Sequence, residues 1–121
     1  SILEKMIVVT EAEKLALAKE DLGVAKAAWL HFASVANQIQ FIMARDSLLS
    51  QHLSTAEKQI QHQKLKTILT DEIALAKALF EISQSDSRIG YEASNQYYYV
   101  PQDLMEKVIN CEFILSQSGV R

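Results

Sequence analysis

The sequence predicts an all-α fold, an up-down bundle of about four helices with one long ordered loop over about 86–100. Two observations carry that prediction. Only three Gly and one Pro occur in 121 residues, too little punctuation for the many turns of a sandwich or barrel. Apolar residues also recur at steps of three and four over most of the chain, the spacing that puts them on one face of a helix. With 49% hydrophobic and 22% charged side chains, residues 1–121 have the composition of a single globular domain with a real core.

The first helix is expected from about Ile2 to Leu22. It is rich in Glu, Lys, Ala and Leu, with Val8, Ala12, Leu15, Ala18 and Leu22 at helical steps, and Gly23 is expected to end or kink it. A second helix follows, on which Ala28, Phe32, Val35, Ile39, Ile42, Leu49 and Leu53 form a four-three stripe of the bundle type, with Asp46 in the one missing place. Ser54-Thr55-Ala56-Glu57 matches a capping box, so a third helix begins near Thr55. Its apolar residues run through Ile60, Leu65, Ile68, Leu69, Ile73, Ala76, Leu79 and Phe80, long enough to pack antiparallel along the second.

Over Asp86–Val100 the helical period is lost and all four tyrosines of the chain gather. Loops of this length are uncommon unless they have a function. Pro101 suits the first position of a last helix, Asp103 suits its electropositive first turn, and Leu104, Val108, Cys111 and Leu115 supply its apolar stripe.

Charge and composition exclude several classes of function. A net charge of −3, with Lys and Arg interspersed among Asp and Glu, offers no basic face for nucleic acid. The apolar run Met6–Val9 is far short of the roughly 20 residues that a membrane span requires. His31, His52 and His62 form no HExxH or ExxH pattern, so neither a metal nor a cofactor is expected. Cys111 is the single cysteine and sits on an apolar stripe, where a small buried hydrophobe is expected rather than a nucleophile.

Two sets of polar residues are candidates for more than solvation. Asn37, Arg45 and Asp46 interrupt an apolar helix and must find partners if buried; with Asp86 they are expected to form a structural polar network, Arg45 or Asp46 anchoring the loop. Arg88, Tyr91, Glu92, Asn95, Tyr97, Tyr98 and Tyr99 give the loop a charge pair, an amide and flat rings, the materials with which proteins hold sugars; the same residues equally suit a structural role in which the Tyr rings seal the end of the bundle while Arg88 and Glu92 tie the loop down. Glu92 alone does not make a glycosidase, which normally needs two placed carboxyl groups, and Asp86 and Asp103 are its only near acidic neighbours.

The stretches AAWLHFASVANQIQFIMARD (27–46) and DEIALAKALFEISQSDSRIGYEASNQYYYVPQDLMEKVINC (71–111) resemble the C-terminal helical region of large bacterial proteins related to glycoside hydrolases. The run DSRIGYEASNQYYYVPQDLMEKVINC carries most of the likeness, through Asp86, Arg88, Gly90, Tyr91, Glu92, Asn95, Tyr97 and Tyr98. The resemblance implies an accessory domain at the C-terminal end of a longer polypeptide, without catalytic residues of its own. Its partners would be an upstream catalytic domain and, at the loop, carbohydrate. Any targeting signal would then lie upstream, and the compartment stays open. The competing expectation is a self-standing helical interaction module that pairs with itself or with another protein's helix.

Overall fold

The computed structural model describes residues 1–50, 52–86, 89 and 101–117, and among these it holds three helices and no strand. They are α1 (Ile2–Leu49), α2 (Thr55–Ser85) and α3 (Pro101–Gln117). The all-α class stands, but the count of four does not, because the first two expected helices are one. Gly23 does not end α1, which runs through it without interruption. A mid-helix glycine costs about 1 kcal/mol relative to alanine, a penalty that the helix formers on both sides, Lys19 and Glu20 before it and Ala25 to Ala28 after it, readily offset. Gly23 is not needed for space either, since a Cβ built there meets nothing within 4 Å.

The turn into α2 follows its sequence signature closely. The Ser54 amide donates to Glu57 Oε2 at 2.7 Å, and the Glu57 amide donates to Ser54 Oγ at 3.2 Å. These reciprocal bonds hold the Glu57 carboxyl below the usual range, chiefly through the Ser54 backbone N–H and then through its side chain. At the other end of α2 the Asp86 amide donates to the Ile82 carbonyl at 3.2 Å. Pro101 is the first residue of α3, where its missing N–H costs nothing.

The middle helix, α2, packs against both α1 and α3. The core is small: Ala27 and Leu30 of α1, Ala76 and Leu79 of α2 and Leu104 of α3, flanked by Leu75, Phe80, Ile82, Ile89 and Val108. Alanine at 27 and 76 lets the backbones approach closely, and Leu104, 2% exposed, fills the space between them.

The face that α1 buries is not the one its apolar stripe suggests. The inward positions are Ala27, Leu30, Ser34, Asn37, Phe41, Ala44 and Leu48, a strict three-four repeat that contains two polar residues. The expected stripe points outward: Phe32 is 70% exposed, Ile39 55% and Leu49 74%, and Val35 and Ile42 are exposed as well. Every residue of α1 from Ile2 to Leu22 is exposed, and near the end of this stretch Lys19 and Glu20 line a groove with Ile82, Ser85 and Asp86 at the end of α2.

Candidate functional site

Polar side chains from all three helices meet around one carboxylate. Glu72 occupies a core slot of α2, in the repeat Leu65, Leu69, Glu72, Ala76, Leu79, and is 5% exposed. A carboxylate taken out of water at such a position must be both paired and hydrogen-bonded. It is both. The Lys107 ammonium of α3 forms an ion pair with Glu72 Oε1, to which the Ser34 hydroxyl of α1 also donates. Asn37 Nδ2, one turn along α1, donates to Glu72 Oε2 at 3.0 Å.

The circuit closes through Ser34. Its Oγ accepts from Lys107 Nζ at 2.8 Å and from Gln38 Nε2 at 3.3 Å while donating its own proton to Glu72. A hydroxyl has one proton and two lone pairs, so Ser34 is fully used. Among the described residues no buried side-chain nitrogen or oxygen is left without a partner.

A cleft of about 360 Å³ adjoins this network, lined by Phe41, Ile42, Arg45, Leu69 and Ile114 together with Asn37, Glu72, Lys107 and Cys111. The Cys111 thiol is buried, and its pKa is raised first by that burial and second by the Glu72 charge, with Lys107 opposing in part. It is therefore a poor thiolate at neutral pH. Ser34 is no better placed for nucleophilic attack: it is 4% exposed, its proton is given to a carboxylate, and Lys107 approaches it as a donor rather than as a base. The arrangement locks the register of three helices. A larger groove of about 630 Å³ between α1 and α2, lined by Met43, Ile60, Gln61 and Lys64 among others, contains no comparable cluster.

Of the residues expected in a structural network, Asn37 is in one. Arg45 and Asp46 pair with each other, Nε at 3.0 Å and Nη2 at 2.8 Å from the same Asp46 oxygen, on an exposed part of α1, and the loop that one of them is expected to anchor lies outside the described residues. Such a surface pair is screened by water and contributes little. Asp86 is the C-cap residue of α2, and its carbonyl accepts from the Ile89 amide at 3.2 Å. Arg88, Tyr91, Glu92, Asn95, Tyr97, Tyr98 and Tyr99 lie outside the described residues.

Three members of the network, Ser34, Glu72 and Lys107, escape a reading by apolar spacing. Their signal is a polar residue in a heptad slot: Glu72 between Leu69 and Ala76, Ser34 between Leu30 and Phe41, Lys107 between Leu104 and Cys111. Among the described residues no group of three or more His, Cys, Asp or Glu is placed to hold a metal ion, and no helix is long and apolar enough to cross a membrane.

Compared with protein-family models, with curated proteins and with solved structures, the chain gives no match in any of the three.

Proposed function

We propose that the chain is a non-catalytic helical assembly module whose longest helix offers an apolar face to a protein partner. The observation that carries this reading is the outward stripe of α1, where large side chains such as Trp29, Phe32 and Met43 are each more than half exposed. A contiguous apolar surface of this size is what monomers avoid and interfaces use. The polar network complements it, because it holds α1 in one register on α2 and α3 and so presents the stripe from a fixed platform.

Charged substitutions on the stripe test the reading. In dilute solution, Phe32→Glu and Ile39→Glu should change the unfolding free energy measured in urea by no more than about 0.5 kcal/mol, as exposed positions do. A loss above about 2 kcal/mol would make the stripe part of the internal core and sink the proposal.

A second reading is favoured by the exposed half of α1, in which Ile2, Leu3, Met6, Ile7, Val8 and Val9 are all more than half exposed. In that reading the chain is an accessory helical domain of a carbohydrate-active, glycoside hydrolase-like protein, and the catalytic domain of the same polypeptide covers this apolar arm. Arg88, Tyr91, Glu92, Asn95, Tyr97 and Tyr98 would then brace that domain or line the rim of its cleft. Titration with mono- and oligosaccharides, followed by tyrosine NMR signals, tests it: saturable shifts confined to 86–100 support a sugar-facing loop, and a silent panel counts against one.

A further inference from the structure

We infer that the occupant of the outward stripe on the packed half of α1 is the same stripe of a second copy of this chain, running antiparallel. The inference rests on the reading of α1 as a protein interface and names its partner.

The stripe is a seam by its spacing. Leu22, Ala25, Trp29, Phe32, Ala36, Ile39 and Met43 follow each other at three, four, three, four, three and four residues, the a/d repeat of a coiled coil. All seven are exposed, and they lie on the side of α1 opposite the positions that pack on α2. One helix therefore carries two heptad seams, one used within the chain and one left open.

The area fits a pair of chains. At side-chain areas of about 150–250 Å² for the larger residues, the uncovered parts of the seam residues Leu22, Trp29, Phe32, Ile39 and Met43 come to roughly 700 Å², near the share of about 800 Å² that each partner gives to a standard interface.

The order of large and small side chains decides the direction. A parallel pair in register would stack Trp29 on Trp29 and Phe32 on Phe32, leave Ala25 and Ala36 facing their own copies across a gap, and oppose the two Asp46 carboxylates at the next seam position. An antiparallel pair centred at the level of residue 34 sets Phe32 against Ala36, Met43 against Ala25 and Trp29 against Ile39, which evens out the volume from layer to layer.

Sedimentation equilibrium and spin-label distances on the full chain test both partner and direction. The chain should be dimeric at tens of micromolar. Nitroxides on Ala33→Cys, at the flank of the stripe beside the two-fold level, should lie close enough to broaden each other's lines. Those on Asp21→Cys should lie about 40 Å apart, twice the 13-residue rise from that level. A monomer, or a dimer with close labels at both positions, overturns the inference. A photoreactive phenylalanine analogue at position 32, irradiated in the cells that make the protein, then separates the two claims. An adduct of twice the chain mass supports self-pairing. An adduct with a different polypeptide overturns it and leaves the interface reading standing, and no adduct overturns both.

Discussion

Glu72 and Lys107 form an ion pair between α2 and α3 in which the Glu72 side chain is nearly enclosed, with 7% of its side-chain surface exposed, while the Lys107 side chain keeps 25% of its own. The asymmetry matters. Lys107 reaches water along part of its length, but Glu72 depends wholly on its protein partners.

Removing the lysine should therefore be costly. Lys107→Met preserves the apolar stem and deletes the charge, leaving Glu72 with only the neutral donors Ser34 and Asn37. The expected loss is about 3 kcal/mol, at the low end for a broken buried pair because the site is not sealed at Lys107. Urea denaturation measures it; a variant as stable as the parent would show that the pair contributes nothing. The double variant Glu72→Met/Lys107→Met should recover much of that loss, since it leaves no uncompensated charge.

Gly23→Ala should stabilise the protein by about 0.5–1 kcal/mol. The position is helical and a Cβ there meets open space, so alanine removes unfolded-state freedom without a steric cost. Thermal unfolding by circular dichroism checks it, and a lower melting temperature would mean that α1 needs flexibility at this point.

The start of α2 should loosen in acid. Because the Glu57 carboxyl is depressed in the folded chain, its capping contribution is fully present above the unfolded carboxylate range and is lost as pH falls through the lower folded value. Amide exchange at residues 55–58 should accelerate, relative to its intrinsic rate, across that window. Glu57→Ala should abolish the change; the same acceleration in that variant would assign it to another group.

Cys111 should alkylate slowly at neutral pH and rapidly once the chain is unfolded, as its burial and raised pKa require. Glu72→Gln removes one of the two effects that raise the pKa, so the pH midpoint of the folded-state reaction should move down. An unchanged midpoint would leave burial as the whole cause.

The all-α class, the capping box at Ser54 and the stripe of α3 were legible because each depends on neighbours within a turn or two of helix. The identity of the buried face of α1 was not. Phe32, Val35, Ile39 and Ile42 make the more apolar stripe, so a rule that puts the most apolar face inside selects them, yet α2 packs on the face of Ala27, Leu30, Ser34 and Asn37. Burial there depends on what Glu72 and Lys107 supply from other helices, which spacing within α1 does not record. Gly23 misled for a related reason: a residue that is unfavourable by itself was outweighed by a long run of favourable ones.

A rod without a joint behaves differently from two rods in series. α1 has no proline and no break between its exposed and packed halves, and at 1.5 Å per residue Ile2 stands about 30 Å from Gly23, the first half-buried position. A sideways force at the tip is not absorbed by a hinge. It arrives as leverage at Ala27 and Leu30, a turn or two from Ser34, so displacement of the arm is felt first where the three helices exchange their buried hydrogen bonds.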